Sequence, residues 1–149
     1  MKPTQKCTDP IFGEMIYNHR WVKQGTIVLF NKQWAINIAA KAYLGKAITG
    51  EQRTCYKEFI ENEQVYLKQI ENELKKYINN NLKILAENWA AAKEINATEE
   101  MANIVTPKTL LFEQDGSSLL LLDCVWDMED GIAVKLSPDV FVAPQSNLL

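Results

Sequence analysis

The order of hydrophobic patterns along this chain predicts an α+β domain in which one antiparallel sheet packs on a long amphipathic helix. Three observations carry that expectation. Aromatic and β-branched residues alternate with polar ones between Ile11 and Tyr43, and strand-like segments return after Pro107. Between them, apolar residues recur every three or four positions from Tyr56 to Tyr77. Alternation is the pattern of a half-buried strand, whereas the wider spacing is that of a helix with one face on a core.

A chain of 149 residues, 47% hydrophobic and 23% charged, can bury a core without disulfide or metal staples. We read it as a single domain over 1–149: a loose segment at 1–10 containing Pro3 and Pro10, strands within 11–45, helices within 49–105 and strands within 108–144. The net charge of −3 and a pI near 5.2 argue against a nucleic-acid partner, whose phosphates call for clustered Lys and Arg. Cys7, Cys55 and Cys124 are widely spaced, which offers no CxxC motif and suggests reduced thiols. The first residues lack the apolar stretch of a signal peptide, and no apolar run reaches the ~18 residues of a membrane span. The expectation is a cytoplasmic protein without a membrane partner.

In the first strand group, Gly13–Trp21 alternates through Met15, Tyr17, His19 and Trp21. Lys23-Gln24-Gly25 and Asn31-Lys32 are the expected turns of a three-stranded meander, with Trp34, Ile36, Ile38 and Ala40 on one face of its last strand. Thr49-Gly50-Glu51-Gln52 has the form of a capping box and opens the long helix. Tyr56, Phe59, Ile60, Leu67, Ile70, Leu74 and Tyr77 line its apolar stripe, interrupted by Glu63, and Asn79-Asn80-Asn81 is the expected stop. One or two shorter helices follow, with a break near Asn96, a restart at Asn96 or Thr98, and an end at Pro107. Asp115-Gly116 predicts a hairpin turn. Leu119–Leu122 reads as a strand buried on both faces. Glu129-Asp130-Gly131 is the next expected turn, followed by strands at Ile132–Leu136 and Val140–Ala143, with Pro138 delaying the last and Pro144 closing it.

No nucleotide, zinc-protease or nucleophile-elbow motif is present. Asp123, Asp127, Glu129 and Asp130 place four carboxylates within eight positions, but without the spacing of a calcium loop. They read as a solvated acidic turn. His19 is the single histidine, expected on a strand, and a pairing with Cys124 would have to arise in three dimensions. Trp21, flanked by Arg20 and Lys23, is the aromatic candidate for a binding anchor. No catalytic residue, metal or cofactor is expected.

Four segments carry a resemblance. They are Asp9-Pro10-Ile11-Phe12-Gly13-Glu14-Met15, Trp34–Tyr43, Ile48-Thr49-Gly50-Glu51-Gln52, and Trp126-Asp127-Met128-Glu129-Asp130-Gly131-Ile132-Ala133-Val134. Together they resemble an uncharacterised family of small bacterial proteins, with residues 80–105 contributing little. Related families with a similar closing segment are suspected immunity proteins of toxin systems. The resemblance implies a non-enzymatic protein-binding domain, of the immunity type, that uses Trp21 and the acidic residues 123, 127, 129 and 130 on a basic protein partner. The alternative is an enzyme or small-ligand protein with a pocket between sheet and helix, using His19, Tyr17 or Cys124.

Overall fold

A computed structural model describes residues 5–43, 45–137 and 139–149. The expectation about Pro138, and the first four residues of the expected loose segment, lie outside them. Eight strands form one sheet in sequence order: β1 (Lys6–Asp9), β2 (Gly13–Tyr17), β3 (Trp21–Leu29), β4 (Lys32–Ala40), β5 (Val105–Phe112), β6 (Ser118–Cys124), β7 (Asp127–Ser137) and β8 (Phe141–Pro144). Every neighbouring pair is antiparallel except β4–β5, which is parallel. Parallel strands need a long crossover. Here it consists of α1 (Gly50–Glu61), α2 (Glu63–Asn80), α3 (Leu82–Leu85) and a 3₁₀ helix (Thr98–Asn103). The fold class is therefore as predicted, and both strand groups share one sheet.

The N-terminal group has four strands, because the segment expected to be loose supplies β1. Its last residue, Asp9, is buried and receives the backbone N–H groups of Ile11 and Phe12 at 2.9 Å each. The Arg53 guanidinium of α1 donates to the same carboxylate at 2.7 Å. The Lys23-Gln24-Gly25 turn does not form. These residues run through β3, where a side chain on Gly25 would strike Ile38 of β4. The β2–β3 turn falls instead at Asn18–Arg20. The β3–β4 turn lies one residue earlier than expected, at Phe30–Asn31, both with positive φ (57° and 60°). Such a two-residue loop matches strand twist but normally takes Asn or Gly. Phe30 is held in this costly geometry by its buried ring and by its N–H donating to Glu71 at 2.7 Å.

The capping box at Thr49 forms as predicted, with Gln52 N–H on the Thr hydroxyl at 3.2 Å and Thr49 N–H on the Gln side chain at 2.9 Å. The helix is broken at Asn62, just before the Glu63 that interrupts the stripe. The Asn62 side-chain amide donates to the Glu58 carbonyl at 3.0 Å, offering the chain an alternative to the helical ladder. Leu67, Ile70, Leu74 and Ile78 of α2 are buried against the sheet, while Ile60 is half exposed. The Asn run ends α2 without a left-handed residue, since Asn81 has φ −123°. Asn79 exchanges two hydrogen bonds with the Ile95 backbone, at 3.0 and 2.7 Å, and so clamps the segment after α3. The 3₁₀ helix starts at Thr98, where the Glu100 carboxylate accepts from the Asn96 and Ala97 amides at 2.7 Å each. Pro107 does not terminate it. It sits in β5 at a bulge that shifts the register before Thr109. The extra residue lets Val105 and Leu110 both face the helices despite their odd spacing.

The Glu129-Asp130-Gly131 turn also falls elsewhere. The chain reverses at Val125–Trp126, and residues 129–131 lie in β7, in a register shift opposite Leu122–Cys124. Gly131 has φ 75°, and a Cβ there would approach the Leu122 carbonyl to 2.6 Å and Gln145 Nε2 to 2.7 Å. Leu120 and Leu122 join the helix-side core; Leu119 and Leu121 form a smaller cluster on the opposite face with Ala39, Leu111 and Ala133. β6 is thus buried on both faces, as its apolar run predicts. The C-terminal helix α4 (Gln145–Leu148) follows β8 directly, and its Leu148 packs on the second cluster.

The two strand groups meet through Gln52, which is fully buried. Its Nε2 donates to the Lys41 carbonyl at the end of β4 (2.8 Å) and to the Phe112 carbonyl at the end of β5 (3.0 Å). Gln52→Leu is expected to lower the unfolding free energy by about 2–4 kcal/mol in chemical denaturation, because both a cap and two buried carbonyl contacts lose their partner. Asp9 supplies a pH signature. Burial raises its pKa, but the Phe12 N–H, the Arg53 guanidinium and the Ile11 N–H outweigh that and hold it below its ordinary 3.8. Its contribution is fully present above that value and lost as pH falls towards the lower folded-state pKa. The stability difference between wild type and Asp9→Asn should be constant from about pH 5 to 7 and shrink below about pH 4, measured by urea unfolding across pH.

Candidate functional site

The β6–β7 hairpin tip is the most conspicuous exposed feature that combines apolar and charged groups. Its two turn residues, Val125 and Trp126, are fixed from inside. Val125 N–H donates to the Ile104 carbonyl at 3.1 Å. The Trp126 ring lies against Trp89 (centroids 5.8 Å apart) and Tyr77 (6.4 Å). Beyond this aromatic footing the chain turns outward, and Met128 is 73% exposed. Asp127 and Glu129 are exposed on either side of it. Rigid backbone beneath an exposed thioether and two carboxylates reduces the ordering cost of a contact made there.

The four expected carboxylates do not act as one cluster. Asp123, in β6, lies 3.8 Å from Lys108 of β5. Asp130 accepts from the Ser146 hydroxyl at 2.8 Å and from its N–H at 3.0 Å, anchoring α4. Asp127 receives the Asp130 N–H at 3.1 Å and keeps its exposure. Among the described residues, no three His, Cys, Asp or Glu side chains converge as a metal site.

Trp21 is not an exposed anchor at a strand end. It is the first residue of β3, is 3% exposed, and its indole N–H donates to the Lys46 carbonyl at 2.8 Å. Tyr17 packs edge-on against it and donates to the Ala42 carbonyl at 2.9 Å. Trp34 is half-buried against the core and donates to the Leu29 carbonyl at 3.0 Å. These polar tips end on backbone carbonyls, where buried aromatic donors find partners.

His19 does not lie on a strand. It occupies the β2–β3 turn with φ 65° and is exposed. The register places that turn at the Phe112–Ser118 end of the sheet, whereas Cys124 lies at the Val105 end. The span from Ser118 to Cys124 is about 20 Å at ~3.3 Å per strand residue, so the two cannot form a nucleophilic pair. The Cys124 thiol is 2% exposed and pushed up to about 11 by burial, although the Asp127 and Trp126 backbone hydrogen bonds oppose the rise. Burial likewise raises Cys55 and Cys7. All three are free thiols.

A groove of about 550 Å³ does open between the β3–β4 turn and α2, but none of Tyr17, His19 or Cys124 lines it. Its polar walls are Asn31, Gln64, Lys68, Glu71, Asn72 and Glu99. Sequence reasoning missed these residues because a solvated helix face and a groove wall share one pattern. Met128 was equally invisible, since an apolar residue in a predicted strand reads as core.

No helix among the described residues is long and apolar enough to cross a membrane. A family model described as a domain of unknown function, DUF6985, matches residues 11–144. Comparison with curated proteins returns no match, and comparison with solved structures returns none either.

The thiol geometry makes a direct prediction. Iodoacetamide at neutral pH should modify native protein at Cys7 first, while Cys55 and Cys124 react only on unfolding, as read by peptide mass spectrometry.

Proposed function

Because the chain belongs to the DUF6985 family, whose description carries no activity, we propose from geometry alone that it is a protein-binding domain presenting the β6–β7 hairpin tip to a basic partner. The observation that carries this reading is Met128, 73% exposed on a braced hairpin between the exposed carboxylates of Asp127 and Glu129. A braced apolar tip ringed by like charge suits a partner with an apolar notch rimmed by Lys or Arg. Asp123 and Asp130 support the tip from its base, and Trp21 acts within the core. Inhibition of a basic toxin, as an immunity protein would perform, is the specific form of this reading, supported by the acidic balance of the chain and by its resemblance to suspected immunity families.

The groove beside Phe30–Asn31 favours a second reading, a small polar ligand held by the amides of Asn31, Gln64 and Asn72. Asn72→Leu would abolish such binding and leave the hairpin untouched.

The test of the first reading is affinity capture from the native organism, with wild type and the Asp127→Lys/Glu129→Lys variant side by side. A basic protein held by wild type should be lost or weakened about 10- to 100-fold by the charge reversal, with binding that weakens as salt rises. Thermal unfolding should be nearly unchanged, since both residues are exposed. A partner retained equally by both proteins would overturn the reading.

A further inference from the structure

The second face of the sheet holds a cavity of about 480 Å³, lined by Asn18, His19, Arg20, Lys41, Leu111 and Leu149. The register assembles it. Tyr17 pairs with Trp21 around the β2–β3 turn, Trp21 pairs with Ala40, and Ala40 pairs with Phe112. The turn, the residue leaving β4 and the end of β5 therefore meet at one corner of the sheet. Leu111 is 3% exposed in the second-face cluster and forms the apolar floor.

In a chain of net charge −3, this corner gathers an imidazole, a guanidinium and an ammonium, with no Asp or Glu in its lining. Lys41 shares its charge with Glu113 at 3.4 Å. No carboxylate pairs with His19 or Arg20 among the described residues. Arg20 is half-buried, so its guanidinium is partly desolvated without a protein counter-charge. The turn that carries these groups is itself constrained: His19 has φ 65°, and Asn18 N–H donates to the Arg20 carbonyl at 2.9 Å. A non-glycine residue in that region costs of order 1 kcal/mol, and such strain concentrates at binding positions.

We propose that this corner binds a small organic carboxylate with an apolar body. The planar guanidinium of Arg20 takes the carboxylate in the geometry that Arg fits best, Lys41 and His19 add donors, and Leu111 and Leu149 receive the apolar part. The site is independent of the hairpin tip, which lies at the other end of β6.

The probe is isovalerate, followed by NMR of the His19 ring and the Leu111 methyl groups. Saturable shifts are expected with a dissociation constant on the order of 1 mM or tighter. Isovaleramide, the uncharged isostere, should produce none. Arg20→Ala should weaken binding at least about tenfold. His19→Gln, which changes no core residue, should weaken it less and serves if Arg20→Ala does not fold. The Asp127→Lys/Glu129→Lys variant should bind isovalerate as wild type does. Absence of saturable shifts up to about 20 mM, or equal shifts with isovaleramide, would overturn the proposal. Inorganic phosphate binding as tightly as isovalerate would overturn its apolar half, and with it the ligand class.

Discussion

The Gln52 side chain is the point on which the architecture turns. Two antiparallel strand groups of four meet at β4 and β5, and that junction is parallel. A parallel junction cannot be made by a hairpin, so the chain must leave the sheet and return through some sixty residues of helix and loop. Gln52 lies at the start of that excursion and reaches back to the carbonyls at the ends of both junction strands. Its oxygen is used by Thr49 N–H, so the same residue caps the helix and sets where it begins relative to the sheet. Thr49 extends the seam through its hydroxyl, 3.3 Å from the Gln114 carbonyl in the β5–β6 hairpin. A buried amide with its donors and acceptor occupied holds one arrangement against alternatives, which apolar packing alone does less sharply.

Other polar groups repeat this logic around the helix-side core. Asp9 joins the β1–β2 turn to α1 through Arg53, Glu71 of α2 holds the Phe30 turn, and Asn79 holds the segment before the 3₁₀ helix. Each ties a helix to an irregular stretch of chain whose backbone would otherwise need water. No buried side-chain polar atom among the described residues lacks a partner. The sheet consequently carries its exposed chemistry at its margins: the hairpin tip of Val125–Glu129 at one end, and the turn of Asn18–Arg20 at the other.

Those two ends differ in charge and in construction. The tip is acidic and rests on an aromatic footing of Tyr77, Trp89 and Trp126. The turn is cationic and rests on an aliphatic floor. An acidic balance averaged over the chain conceals the second, because electrostatic character is a property of places where groups are brought together.

How much of this was legible in the residues depends on the range of the interaction. The capping box at Thr49, the Asp115-Gly116 hairpin, the Trp34–Ala40 face and the doubly buried Leu119–Leu122 run are local patterns, and each formed where the sequence predicts. Turns were less legible. Lys23-Gln24-Gly25 and Glu129-Asp130-Gly131 have the composition of turns, yet their glycines serve close approach instead, one beneath Ile38 and the other beside the Leu122 carbonyl and Gln145. That purpose is set by a neighbouring strand and cannot be read from the glycine. Trp21 went inward and Met128 outward for the same reason: periodicity states that two faces differ, and only the packed sheet decides which face meets the helices. By itself the sequence determined the class of fold, the capped amphipathic helix and the existence of two strand groups, because these rest on spacings of a few residues. The tertiary structure decided the parallel junction, the burial of Trp21, the separation of His19 from Cys124 and the cationic corner, because each depends on residues far apart in the chain that only the register of the sheet brings together.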